Sequence, residues 1–249
     1  MRHRLSLGVL TMSAQAFCGI NAIMFFAPQM LTRFFSPSAS LYGTLGINVT
    51  NALATLVTFV AVDRFGRVSL LVASGCVMCL CHATTAMLSL QAPTEGVGIA
   101  VLVVASVFVA AFAVGWGPVP WTLCSEIFPM RVRSRATSVT TATNWLANTL
   151  LGKAFPLLPL ATAFGLFALV CVCGVTLSYL AQPETANLSL EQIDVAFATH
   201  KPRARRRFWE EASRNAEQDR VGFVRKATAS DCVEATTVTA EDAVESHAV

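Results

Sequence analysis

Two sets of residues in this chain have types and spacing suited to chemistry. The first is a series of carboxamides: Gln15 and Asn21, then Asn48 and Asn51, then Asn144 and Asn148 with Trp145 beside them. A carboxamide donates and accepts hydrogen bonds at once, which suits a solute rich in hydroxyls. Asn48 and Asn51 are three apart and Asn144 and Asn148 four apart, so each pair shares a helix face. Gln15 and Asn21 are six apart and share no stripe, and Gly19 lies between them. The second set is Cys76, Cys79, Cys81 and His82, followed later by Cys171 and Cys173, with spacing like that of metal ligands. On a helix Cys76 and Cys79 share a face, whereas Cys81 and His82 point away from at least one of them. Free cysteine is also a common small apolar residue. Packing explains this second set better, and no metal or other cofactor is assigned.

The elements that carry these residues follow from the distribution of charge. Of the 249 residues only 13% are charged and 54% are apolar, with a mean hydropathy of +0.58. A globular chain carries about 25% charged residues. Residues 1–182 hold nine Lys/Arg and three acidic residues (Asp63, Glu95, Glu126), and 183–249 hold nine basic and twelve acidic side chains. A long apolar body with a short polar tail excludes a secreted, nucleic-acid-binding or coiled-coil protein. It describes an integral membrane protein.

Residues 5–32, 34–62, 68–94, 96–125, 136–152 and 154–183 contain no Asp, Glu, Lys or Arg. A spanning helix needs roughly 20 mostly apolar residues. Five runs meet this, and 136–152 does so if Lys153 snorkels from an end. The pattern predicts helices near 6–27, 43–62, 68–90, 97–121, 134–155 and 160–181. Barrel strands would alternate polar and apolar residues, and these runs are continuous. Arg2 and Arg4, Arg64 and Arg67, and Arg131, Arg133 and Arg135 fall on every second connection, which places both termini in the cytoplasm. The first run is too long for a signal peptide and lacks a small-residue cleavage site.

The chain divides into a six-helix bundle over 1–182, a cytoplasmic post-membrane segment over 183–209, and a tail over 210–249. Leu188, Leu190, Ile193, Val195 and Phe197 pattern 188–199 as a short amphipathic helix. Arg203 and Arg205 to Arg207 read as a solvated basic run, and the tail is polar, low in aromatics and expected to be disordered. Two glycosylation sequons, at Asn48 and Asn187, fall in a helix and on the cytoplasmic side. No hydrolase elbow, phosphate loop or nucleotide fingerprint occurs, so an enzyme has no nucleophile–base pair to build on.

Polar groups inside a membrane are expensive and tend to face the bundle interior or an aqueous cavity. For a single Asn, glue between helices at about 0.6 kcal/mol is account enough. Amides on three helices together with several Trp fit a polyol-sized cavity better. The fourth run holds Gly115-Trp-Gly-Pro-Val-Pro-Trp121. Two prolines remove backbone donors there, so the helix should break. Broken helices at membrane depth line protein or water and mark transporter sites, which makes this a gating element.

From Gln15 to Ile193 the chain resembles the C-terminal half, helices seven to twelve, of a sugar porter of the major facilitator superfamily. Gln15-Ala-Phe-Cys-Gly-Ile-Asn21 with Phe25-Phe26 is similar to the seventh helix, where the pattern is two Gln, two variable residues, Gly, Ile, Asn and an aromatic pair. Asp63-Arg-Phe-Gly-Arg67 resembles the loop between helices eight and nine. Gly117-Pro-Val-Pro-Trp121, Ser125-Glu-Ile-Phe-Pro129 and Arg131-Val-Arg133 resemble the tenth helix and its exit. Asn144, Trp145 and Asn148 match the eleventh, and Pro183-Glu-Thr185 with Leu190-Glu191 the signature after the twelfth. Six motifs in the family's order make the resemblance specific.

The resemblance implies an all-α membrane fold and transport of a hexose or related sugar by alternating access. It implies that Gln15, Asn21 and Asn51 bind sugar hydroxyls, that Trp121 packs on the sugar, and that Asn144 and Trp145 line the same cavity. Phe25 and Phe26 would close the outer gate, and Gly117, Pro118 and Pro120 would form the hinged segment. Asp63, Arg64, Arg67, Glu126 and Arg133 would form a cytoplasmic charge network that latches one conformation. Ala16 replaces the family's second Gln, Ala113 stands where some members place a Glu, and Ala186-Asn187 replaces the usual Lys-Gly. Further implied are a sugar and the lipid bilayer as partners, no nucleic acid, and a multi-pass location in the plasma membrane. The family has twelve helices, so a missing N-terminal half or another copy should complete the site. That half would also carry the acidic group that couples protons in symporting members. A truncated membrane protein that binds or regulates a full-length relative is the rival reading.

Overall fold

The computed structural model describes residues 2–182 together with Thr185 and Ile193, and for 59–64 it describes the backbone alone. The described residues are helical, in the order α1 (Arg2–Phe17), α2 (Ile20–Leu31), α3 (Pro37–Phe65), α4 (Arg67–Ser89), α5 (Glu95–Val114), α6 (Val119–Ile127), α7 (Arg133–Ala154) and α8 (Leu160–Ala181). A single 3₁₀ turn, Phe155–Leu157, links α7 toward α8. Four stretches are long and apolar enough to cross a membrane: Arg2–Leu31, Arg67–Ser89, Glu95–Ile127 and Leu160–Ala181. Helices α3 and α7 have spanning lengths of 29 and 22 residues, but α7 is dotted with Thr, Asn and Arg.

Each of the six expected helices has its counterpart, two of them broken. The break expected in the fourth is a run of turns over 115–118 between α5 and α6. A second break, at Cys18–Gly19, separates α1 from α2 and has no proline to announce it. Side-chain caps start α3 and α5. Ser36 accepts a hydrogen bond from Ala39 N ahead of Pro37, and Thr94 accepts one from Val97 N.

Helix α4 is the spine: it packs along α8 and α5, while α1 packs along α7 and α8. The main core gathers Ile20, Ile23, Leu71, Met78, Phe108, Trp116, Phe164 and Phe167, with a second cluster of Met12, Leu123, Ile127 and Phe128. Leu41, Tyr42, Leu45 and Leu53 of α3 and Leu146 and Leu150 of α7 are exposed apolar residues. The post-membrane segment and the tail lie outside the described residues, except that Thr185 and Ile193 are buried.

Candidate functional site

The site begins where α1 stops. Gly19 has φ +90°, a left-handed conformation that L side chains rarely adopt. A Cβ at Gly19 would lie 2.6 Å from Phe167 Cδ2, so the close approach of α8 demands glycine as well. On both sides of this break, side chains reach α7. Residues that share no stripe on a straight helix are thereby both aimed at one neighbour.

That neighbour joins them into a ladder. Asn21 Nδ2 donates to Asn148 Oδ1. Asn148 Nδ2 donates to Asn144 Oδ1 at 3.0 Å. Asn144 Nδ2 donates to Gln15 Oε1 at 2.6 Å and to the Met12 carbonyl at 3.0 Å. Within this run each bond points the same way along the chain of amides. Among the described residues Gln15 Nε2 and Asn21 Oδ1 take no protein partner, so the ladder keeps a donor at one end and an acceptor at the other. Gln15 and Asn144 are buried, whereas Asn21 and Asn148 are half-buried.

Asn51 stands apart. It is half-buried on α3, its carbonyl accepts from Thr55 Oγ1, and its side chain is not joined to the ladder. Asn48, three residues earlier, is exposed. Trp145, next to Asn144 on α7, is 65% exposed, and Trp121 on α6 is 40% exposed. Trp145, uncovered next to the ladder on α7, and Trp121, partly uncovered on α6, present flat apolar faces and N–H donors. Phe25 is exposed too, while Phe26 packs on Phe155 at 5.2 Å between ring centroids.

Trp116 does the opposite and pins the α5–α6 break. It is buried, and its Nε1 donates to the Leu71 carbonyl at 2.8 Å. Its ring fills a slot that glycines leave open: a Cβ at Gly75 would lie 2.8 Å from its Nε1, and one at Gly174 would lie 2.2 Å from its Cη2. Gly117 N bonds the Phe112 carbonyl at 2.7 Å and Thr58 Oγ1 donates to the Ala113 carbonyl at 2.8 Å, which satisfies backbone groups that the break frees. Pro118 sits half-buried in the turn and Pro120 is buried at the start of α6.

At the end of α6, Glu126 takes two partners. Its Oε1 lies 3.2 Å from Arg67 Nη2, and its Oε2 accepts from Thr185 Oγ1. The side chains of the pair are 15% and 20% exposed, enough burial to strengthen the attraction over that of a surface pair. Arg133 Nε instead donates to the Phe128 carbonyl at 3.1 Å, and Arg4 Nη1 to the Ile127 carbonyl at 3.0 Å. The side chains of Asp63 and Arg64 lie outside the described residues. Thr185 was legible as part of the Pro183-Glu-Thr185 motif, but nothing in that motif says that its hydroxyl meets Glu126.

The cysteines of α4 and α8 divide between surface and core. Cys76 and Cys173 are exposed, Cys81 and Cys171 are buried, and Cys79 Sγ contacts the Ala168 carbonyl at 3.6 Å. Among the described residues no three of His, Cys, Asp and Glu are grouped as metal ligands.

Residues 1–197 match a family model described as "Sugar (and other) transporter". The chain belongs to this sugar transporter family. The facilitated glucose transporter member 8 of solute carrier family 2 from Bos taurus is 35% identical over 217 residues, covering 77% of this chain and 45% of that relative. The galactose-proton symporter of Escherichia coli K12 is 34% identical over 203 residues, covering 78% and 43%. Among solved structures, the major facilitator superfamily proton:xylose symporter XylE bound to 6-bromo-6-deoxy-D-glucose matches with a TM-score of 0.70 at 30% identity, covering 77% of this chain and 42% of that one. The chain therefore spans under half the length of the relatives it matches. It is an integral membrane protein of the major facilitator superfamily, helical through its described residues.

Proposed function

We propose that this chain forms one half of an alternating-access carrier for a hexose or related sugar, the half that holds helices seven to twelve. The observation that carries this reading is the amide ladder of Gln15, Asn144, Asn148 and Asn21, which leaves donor capacity on Gln15 Nε2 and an acceptor on Asn21 Oδ1, with Trp145 exposed next to Asn144. A sugar hydroxyl needs one of each, and the face of a pyranose is apolar enough to lie on Trp121 or Trp145. Asn51 would add a third contact from α3. The six spans in this reading are α1–α2, α3, α4, α5–α6, α7 and α8, with both termini cytoplasmic and the chain in the plasma membrane.

Trp116 fixes the α5–α6 turn, so α6 with Trp121 would tilt about it through Gly117, Pro118 and Pro120. The α2 segment with Phe25 and Phe26 would close over the sugar from the outer side. On the cytoplasmic side Glu126, Arg67 and Thr185 would hold the loops together in one conformation and part in the other, with Asp63, Arg64 and Arg133 nearby in the same network. Switching of this kind needs a second wall, supplied by an N-terminal six-helix half or another copy. No Asp or Glu lies within the six expected spans, so proton coupling, where it operates, would rest on that second wall.

The test is reconstitution. The 249-residue chain alone in liposomes should show no saturable D-glucose, D-galactose or D-xylose uptake, and co-expression with a matching N-terminal half should establish it. Saturable uptake by the chain alone would replace the half-site reading with a homodimer. Failure of both preparations to bind or carry any of the three sugars would remove the sugar from the proposal.

A further inference from the structure

His82 is the one ionisable side chain other than cysteine that the expected spans bury, and the transport reading gives it no task. It is 1% exposed in the middle of α4. Its ring is packed among Phe108 at 4.3 Å, Phe167 at 5.5 Å and Phe164 at 5.6 Å between centroids. In that apolar box its Nε2 lies 2.7 Å from the carbonyl oxygen of Cys18. A carbonyl only accepts, so Nε2 carries the hydrogen and donates.

Cys18 is the residue at the break between α1 and α2. A helix that stops leaves carbonyls without their i+4 donors, and a buried carbonyl needs one from elsewhere. Here the donor comes from a helix 64 residues away in sequence. The same imidazole touches Phe167, the ring on which Gly19 rests. Phe167 in turn stacks on Phe155 at 6.0 Å, and Phe155 meets Phe26. Gln15 lies three residues before Cys18 and Asn21 three after it. The two pairs of the ladder, Gln15 with Asn144 and Asn21 with Asn148, thus stand on opposite sides of the bond that His82 makes.

We propose that His82 is a positioning residue: its Nε2–H···O=C bond to Cys18 locks the α1–α2 discontinuity and thereby sets the spacing between the Gln15 and Asn21 ends of the sugar site. The inference rests on the proposed function for its consequence, but not for the clamp itself. A residue that only filled space would be replaceable by another ring. A residue that clamps needs the N–H.

His82→Phe keeps an aromatic ring and removes the donor, and His82→Gln removes the ring but keeps an N–H at similar reach. Hydrogen–deuterium exchange of the full chain in lipid nanodiscs reads the break directly. His82→Phe should speed exchange of the amides over 19–24 about fivefold, the effect of losing a hydrogen bond of ordinary net strength, with His82→Gln close to the parent. His82→Leu gives the same contrast where the Phe variant does not insert. Protection retained in Phe or Leu and lost in Gln would show a packing role and overturn the clamp. In the carrier assembled with an N-terminal half, His82→Phe should raise KM for D-glucose about fivefold with kcat little changed, and His82→Gln should restore it. A changed kcat at constant KM would overturn the link from clamp to site. Absence of D-glucose uptake in the parent assembly would count against the transport reading, while the exchange measurement would still decide the clamp.

Discussion

Asn144 donates its side-chain amide to Gln15 Oε1 across 2.6 Å, although 129 residues of sequence separate the two. The same nitrogen reaches the Met12 carbonyl, and the oxygen at the other end of the amide accepts from Asn148. One buried carboxamide therefore ties α7 to α1 and aligns the residues on either side of it. Polar pairs inside membrane bundles are individually modest, at about 0.6 kcal/mol on average and up to about 1.7. A residue that makes several such bonds belongs at the top of that range.

Asn144→Leu should accordingly lower stability by about 1–2 kcal/mol. In the assembled carrier the loss of sugar affinity should exceed what instability explains, because Gln15 and Asn148 lose their alignment together. Thermal unfolding in detergent and D-glucose KM measure the two effects. Equal KM in parent and variant would show that the ladder is structural glue alone.

Trp145→Ala and Trp121→Ala should separate stability from binding in the other direction. Trp145 is 65% exposed, so its loss should change stability by no more than about 0.5 kcal/mol, and Trp121, 40% exposed, should cost about 1 kcal/mol. D-glucose affinity should fall in both variants, since each removes a flat apolar face. A drop in melting temperature with unchanged affinity would place these rings in packing instead.

The slot for Trp116 predicts a steric effect. Gly174→Ala puts a methyl within 2.2 Å of Trp116 Cη2, and such overpacking costs about 1–3 kcal/mol. Adding Trp116→Phe should recover part of that loss by emptying the six-membered half of the indole. Gly165→Ala on the same helix meets nothing within 4 Å and should stay within about 0.5 kcal/mol of the parent. Equal unfolding temperatures for the two alanine variants would contradict the slot.

The Glu126 junction predicts a defect in switching. Glu126→Ala removes the acceptor shared by Arg67 and Thr185, and breaking a partly buried pair costs more than the pair contributes. In the assembled carrier D-glucose uptake should fall severalfold while equilibrium D-glucose binding persists. Thr185→Val removes one of the two bonds and should give an intermediate rate. Parent-like cycling in Glu126→Ala, followed by the accessibility of a cysteine placed in the cytoplasmic cavity, would dispose of the latch.

The sequence by itself determined the helical class, the positions of the long apolar stretches and the break before α6. These depend on quantities that are local in the chain. Continuous apolar residues between charges set where a helix can meet hydrocarbon, and within Gly115 to Pro120 two prolines lack backbone donors and two glycines lack side-chain constraints. The motifs from Gln15 to Glu191 also named the family, because residue types in order survive without any knowledge of contacts.

Only the tertiary structure decided what those residues do to one another. The break at Cys18–Gly19 depends on Phe167 pressing from α8 and His82 donating from α4, neither of which is visible within the first helix. The same packing brought Gln15 and Asn21 to one neighbour although six positions separate them, and left Asn51 outside the ladder. It also turned His82 from a member of a cysteine-rich run into the donor at that break. Hydrophobicity is additive along a sequence, whereas a hydrogen bond requires two groups within about 3 Å, and that distance exists only after α1, α4, α7 and α8 have packed.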